Sequence, residues 1–203
     1  DQYLTQCASH FEQKGWLDRC YALAPESSSE AVRRFAGSVH AANGRVAVAS
    51  RGFPQDMRPY GWPNFPYTDL SDAVDVWMPP AQFYDVEAMA QERAKGRRTW
   101  LAADRPPFSG STSIYAPSTY VRVLPWQAEE LGAQAMSIGR VNSWPDATTR
   151  PAPDDCVRFD PRVLLYPGRA FGLDEPVASV RLKHLRRGLQ DAAYFRLLRE
   201  HGL

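Results

Sequence analysis

A chain of 203 residues with 24 basic and 23 acidic side chains carries a formal charge of +1. That balance supplies no strong field for nucleic acid or an anionic membrane surface. At 44% hydrophobic and 12% aromatic residues, the composition is globular rather than disordered, and the length suffices for one domain with a sizeable core, expected over residues 1–203. No apolar run reaches the roughly eighteen residues of a membrane-spanning helix, and no signal peptide opens the chain. The first residue is Asp1 rather than Met, which points to cutting or processing upstream. Three cysteines, Cys7, Cys20 and Cys156, match no zinc spacing and read as buried thiols, one disulfide being open to an exported protein.

In chain order, residues 1–14 predict a helix with Tyr3, Leu4, Cys7 and Phe11 on one side, ended by Gly15. Cys20–Ala24 predicts a short buried strand. Ser27 and Glu30 have the spacing of a capping box for a helix running to about Ala42, and Asn43-Gly44 turns the chain. Val46–Ser50 is the next strand. The stretch from Arg51 to Asp72 holds four prolines with Tyr60, Trp62, Phe65 and Tyr67, a long aromatic loop of the kind that is usually functional or disordered. Ala73–Met78 is a strand, Asp85–Lys95 a helix closed by Gly96, and Arg97–Ala103 a strand followed by the loop Asp104–Ala116. Pro117–Leu131 predicts a helix with Val121, Leu124, Ala128 and Leu131 in a stripe. Gln134–Val141 is a strand, and Asn142–Asp160 a loop rich in Pro and Asp.

The last stretch begins with the apolar run Val163-Leu164-Leu165-Tyr166, stopped by Pro167-Gly168. Asp174 as N-cap and Pro176 in the first turn predict a helix of about 24 residues, well above the usual length. Leu182, Leu185, Leu189, Ala193 and Leu197 form its apolar stripe, and Gly202 stops it. Strands near residues 21, 47, 76, 100 and 137 alternate with helices, which argues for a parallel α/β sheet.

The order Tyr166-Pro167-Gly168, then Pro176-Val-Ala-Ser-Val-Arg-Leu182, then Leu185-Arg-Arg-Gly-Leu-Gln-Asp-Ala-Ala-Tyr194 resembles the C-terminal signature of the glycoside hydrolase family 123-like catalytic domain. Val74–Pro79 and Arg122–Trp126 resemble it as well, and the likeness extends over nearly the whole chain. It implies a TIM-like (β/α)8 barrel closed by the last helix. The five strands here would be its fourth to eighth, because a full barrel needs eight strands in about 250 residues. Three N-terminal strands would then be missing: trimmed, supplied by another polypeptide, or replaced by a different closure. An open parallel edge must be covered, so a segment completing the barrel is the expectation. The family also favours an extracellular or periplasmic setting.

In barrels of this kind the reacting groups sit at the C-terminal ends of the strands and in the loops that follow. Those ends read Pro25-Glu26, Ser50-Arg51, Trp77-Met78, Trp100 with Asp104, and Asn142 with Trp144. Tryptophan faces suit the apolar C–H faces of sugars, and Arg, Asn and Asp suit their hydroxyls. Arg51, Trp77, Trp100, Asn142 and Trp144 are therefore candidate carbohydrate-binding residues. The competing reading makes Trp77 and Trp100 barrel core and Trp144 a brace for its loop.

The resemblance implies catalysis in which the substrate's acetamido group is the nucleophile. An adjacent Asp-Glu pair in a Tyr-x-x-Asp-Glu-Pro setting orients that group and protonates the leaving oxygen. The corresponding stretch is Tyr21-Ala22-Leu23-Ala24-Pro25-Glu26, with Ala24 and Pro25 at the two acidic positions. Glu26 is one residue late, and a one-residue shift after a strand changes a side chain's direction. The eighth-strand pattern also departs, reading Ala135-Met136-Ser137-Ile138-Gly139, while its tail Val141-Asn142-Ser143-Trp144 is kept.

Three functions stand: a glycan-binding domain without the acidic pair, an active hydrolase with a relocated acid at Glu26 or Asp104, and a structural module of a larger assembly. No cofactor or metal is expected. His10, His40, His184 and His201 fall on predicted helices, and no serine-hydrolase elbow, H-E-x-x-H, P-loop or dinucleotide fingerprint occurs. Lys183, His184, Arg186 and Arg187 read as a solvated helix face rather than a phosphate site.

Overall fold

The computed structural model describes residues 2–25, 28–52, 70, 72–139, 141–143 and 162–202. The chain divides into two units, Asp1–Ala102 and Ala103–Leu203.

The first unit opens with α1 (Gln2–Gln13), which ends at Gly15 with φ of +68°, a backbone setting that favours glycine. Of its apolar residues Ala8 is buried, Leu4, Cys7 and Phe11 are half-buried, and Tyr3 is exposed. Strand β1 (Tyr21–Leu23) is followed by α2 (Ser29–Ala42), β2 (Ala47–Ser50), β3 (Val76–Trp77), α3 (Val86–Ala94) and β4 (Arg98–Ala102). The four strands run parallel in the order β1-β2-β3-β4. Each strand, helix and glycine stop of this unit lies where the sequence places it, with shorter strands.

Two local expectations change. The first strand is not buried: Tyr21 and Leu23 are 45% and 47% exposed, because β1 is a sheet edge in this unit. The cap of α2 is Ser28, whose hydroxyl accepts from the Ala31 N–H at 3.2 Å; Ser27 lies outside the described residues. On α2, Val32, Ala36 and Val39 are buried at the spacing of one helical face. Asp85 caps α3, accepting from the Ala88 N–H at 2.9 Å.

The two faces of this sheet differ. Ala47, Ala49 and Val76 form a buried cluster with Trp100 packed on it, and the Trp100 ring meets Tyr21 edge-on at 5.0 Å. Trp77, one residue on from Val76, points the other way. It is fully buried, and its indole N–H donates to Glu92 Oε2 on α3 at 2.8 Å. Glu92 is itself buried, and it also meets Lys95 Nζ at 2.6 Å and Arg97 Nε at 3.2 Å. Those partners make a buried carboxylate tolerable. At the opening of β3, Asp75 accepts from the Val48 N–H at 2.7 Å and lies 2.9 Å from His40 Nε2.

The second unit holds α4 (Tyr120–Glu130), β5 (Ala135–Ser137), β6 (Leu165–Tyr166), β7 (Val177–Ala178) and α5 (Val180–Glu200). Ala103 donates its N–H to the Ser137 carbonyl at 2.9 Å. Val121, Leu124, Leu164 and Leu185 form the core, with Met136, Ile138, Val141 and Leu182 against it.

The closing helix starts later than its sequence suggests. Val177–Ala178 pairs antiparallel with Leu165–Tyr166, and Ser179 is the cap, accepting from the Leu182 N–H at 3.2 Å. Asp174 and Pro176 precede this ribbon instead of opening the helix. The buried face is also turned. Arg181, Leu185, Gly188 and Ala192 are buried, while Leu189 and Leu197 are about half exposed. A polar seam explains the rotation. Arg122 Nε and Nη2 donate to the Asp191 carboxylate at 2.6 and 3.0 Å, and Trp126 Nε1 reaches it at 3.1 Å. The Trp126 and Phe195 rings meet at 5.6 Å, and Glu129 receives Arg196 and Arg199 at 2.8 and 3.2 Å.

This seam carries a pH signature. The hydrogen bond from Arg122 is the main cause that holds the Asp191 carboxyl below its ordinary range, and the same bond raises Arg122. A depressed carboxylate contributes fully above its unfolded value, roughly 3.9, and the contribution is lost as pH falls below that value through the folded one. Thermal melts should therefore show Asp191→Asn less stable than the parent at pH 7. The gap should narrow on acidification below about pH 4. A gap of constant size across that range would remove the ion pair from the account.

Candidate functional site

The strand ends of the first unit are built mostly from backbone and small side chains. At the end of β1, Ala24 is buried and donates its N–H to the Ala49 carbonyl at 2.8 Å; Pro25 follows it, exposed. Neither position carries an ionisable group. After β2, the buried Ser50 hydroxyl accepts from the Gly52 N–H at 3.0 Å, and Arg51 between them is half-buried. A Cβ on Gly52 would stand 3.1 Å from that hydroxyl, so the turn is tight. After β3, Met78 and Pro79 are buried, and the Pro79 carbonyl accepts from the Ala102 N–H at 3.0 Å.

The predicted residues separate on this frame. Trp77 has its ring fully enclosed on the α3 side of the sheet and its N–H used by Glu92, the surroundings that the core reading of this residue expects. Trp100 is half-buried on the opposite face, two residues before the end of β4, against Tyr21. Glu26 and Trp144 lie outside the described residues, as does Cys156.

In the second unit, Asp104 is half-buried at the start of the loop that leaves β4. Its N–H donates to Ser109 Oγ at 2.9 Å. Asn142 is exposed after β5. Among the described residues no group of three or more His, Cys, Asp or Glu side chains could hold a metal ion, and no helix is long and apolar enough to cross a membrane. A groove of about 630 Å³ runs along α5, lined by Arg122, Arg187, Gln190, Asp191, Ala193, Tyr194 and Leu197. None of the predicted site residues lines it.

What the sequence reading passed over is the loop between β4 and α4, residues 103–119. Phe108, Ile114 and Tyr115 are exposed on it, and Tyr120 is exposed at the first turn of α4. The signal was available: aromatic residues in a loop directly following a strand.

Comparison with known proteins bears on the whole chain. The family model described as glycoside hydrolase 123, catalytic domain, matches residues 1–198. Among solved structures, a family 123 glycoside hydrolase from Clostridium perfringens, determined for the details of glycolipid glycan hydrolysis, is similar with a TM-score of 0.69. The identity is 16%, over 98% of this chain and 34% of that one. The chain thus spans about a third of that relative's length. No curated protein matches. The shared architecture is α/β, the C-terminal portion of a TIM-like barrel. With a family model matched over nearly its full length, this chain belongs to the glycoside hydrolase 123 catalytic-domain family.

Proposed function

We propose that this chain is a glycan-binding domain of the glycoside hydrolase 123 type that does not itself break glycosidic bonds. One observation carries the reading: Ala24 and Pro25 directly follow β1, where the family resemblance puts the acidic pair. Hydrolysis through a neighbouring acetamido group needs one carboxylate to orient that group and another to protonate the departing oxygen. A positioned general acid contributes about 10²–10⁴-fold. An alanine methyl and a proline ring supply neither role, whereas the binding surface around them can persist. The ligand class is an N-acetyl-hexosaminide, and glycolipid glycans of the kind named for the Clostridium perfringens enzyme are the first extended ligands to try.

A second reading keeps catalysis and moves the acid to Asp104 or Glu26. It is supported by the place of Asp104, half-buried directly after β4 with its backbone fixed by Ser109. The two readings separate on a 4-nitrophenyl N-acetyl-β-hexosaminide. The binding reading expects no turnover above background in the parent, Asp104→Asn or Glu26→Gln, together with a thermal shift from the unreactive methyl glycoside. A ligand at a hundredfold over Kd adds roughly 2.7 kcal/mol to stability. Turnover in the parent that either substitution abolishes would replace binding by hydrolysis. No turnover and no thermal shift would leave the structural-module reading. The exposed Tyr21 and Leu23 on the edge of the first unit's sheet also favour a further polypeptide segment that supplies strands there. Native mass spectrometry of isolated material tests that segment directly.

A further inference from the structure

We propose that the loop between β4 and α4 is a saccharide platform, with Tyr115 and Phe108 as its stacking faces and Tyr120 at its margin. This rests on the glycan-binding reading above and goes beyond the residues it names. Tyr115 is 82% exposed, and Phe108, Ile114 and Tyr120 are each between 41% and 47% exposed. Single apolar residues at a surface need no explanation, but several large ones on one short loop do.

The backbone that carries them is fastened down. Ser109, Gly110, Ser111 and Thr112 are buried between the exposed side chains. Ser109 Oγ accepts from the Asp104 N–H and donates to the Gly110 carbonyl at 2.7 Å. The Gly110 N–H donates to Gln127 Oε1 at 2.9 Å, and Gln127 Nε2 returns a bond to the Phe108 carbonyl at 3.4 Å. A Cβ on Gly110 would lie 2.1 Å from the Tyr120 carbonyl oxygen, so the loop is pressed onto the start of α4. Ser111 Oγ accepts from the Ser113 N–H and Ser113 Oγ from the Tyr115 N–H. Behind the loop the buried guanidinium of Arg181 donates to the carbonyls of Thr112 and Val163 and to the Tyr166 hydroxyl.

A loop held in this way displays aromatic rings with little conformational entropy left to lose on binding. The chemistry on display favours a sugar over a protein partner. Tyrosine combines a flat apolar face for the C–H side of a pyranose with a hydroxyl for its rim. The neighbours Asp104, Arg105 and Ser113 add hydrogen-bonding groups, and the loop leaves the C-terminal end of a strand, the end that carries sites in α/β barrels.

The test is saturation-transfer NMR and titration of the full chain with methyl N-acetyl-β-galactosaminide, methyl N-acetyl-β-glucosaminide and methyl β-galactoside. Tyr115→Ala and Phe108→Ala are compared with Tyr115→Phe and with Tyr194→Ala, an exposed tyrosine on α5 outside the loop. The expected result is a roughly tenfold rise in Kd for each loop truncation, with Tyr115→Phe, which keeps the stacking face and loses only the hydroxyl, weakened less than Tyr115→Ala, Tyr194→Ala close to the parent, and all melting temperatures unchanged. Binding by the parent that survives both loop truncations overturns the platform and leaves the glycan reading standing. No binding of any of the three glycosides by the parent overturns both.

Discussion

Gly188→Ala should destabilise the second unit by about 2 kcal/mol, although alanine is the better helix former. In an exposed helix the change would gain roughly 0.8–1 kcal/mol. Here the added Cβ would stand 2.2 Å from the Arg122 carbonyl oxygen and 3.0 Å from its carbon. Those are backbone atoms of α4, so no side-chain rotation relieves the clash. The helices would have to separate, and the adjoining bonds from Arg122 and Trp126 to Asp191 would stretch with them. Overpacking costs about 1–3 kcal/mol and sometimes more, which outweighs the propensity gain. For a chain of this size the melting temperature should fall by roughly 4–8 °C. An unchanged or raised value would mean that the helices do not meet at Gly188.

Trp77→Ala should cost about 3–5 kcal/mol, a large share of the roughly 5–15 kcal/mol that holds a domain together. The ring is fully enclosed, and its removal leaves both a cavity and a buried carboxylate short of one donor. Glu92 would keep Lys95 and Arg97, so Trp77→Phe, which keeps most of the volume, should cost only about 1–3 kcal/mol, chiefly for the lost indole bond. Urea denaturation gives both numbers. The same two proteins decide between core and ligand roles. A core Trp77 leaves the Kd of the folded fraction for any glycoside unchanged in Trp77→Phe; weaker binding at unchanged stability would return Trp77 to the site.

Residues whose burial follows hydrophobic period were legible from the sequence. Val121, Leu124 and Ala128 on α4 follow from helical spacing, the buried strands near 47, 76 and 100 from short apolar runs between turns, and the stops at Gly15 and Gly96 from glycine's tolerance of positive φ. What failed rests on contacts that hydrophobic counting does not register. On α5 the leucines suggest one face, but the helix turns to bring Gly188 against backbone and Asp191 against Arg122. A small residue and an ion pair outweigh Leu189 and Leu197.

Pro176 suits a first helical turn, yet residues 177–178 find a strand partner at 165–166 that local propensity cannot reveal. For the site, the family's C-terminal motif was readable directly. The face of the sheet that Trp77 takes was not, because a one-residue difference in register reverses it. The aromatic loop after β4 was visible as composition, but its fixed backbone depends on Gln127 and Arg181, far along the chain.

The seam between α4 and α5 also sets an order of events during synthesis. Its bonds join residues 65 to 70 positions apart, so α4 leaves the ribosome well before its partner helix exists. At roughly 5–20 residues per second, Val121 and Leu124 wait for about three to thirteen seconds without the Leu185 that closes over them. Residues 1–102, which make up the first unit, have all been synthesised before that interval begins. Nascent chains of the second unit are therefore the ones a holding chaperone would meet.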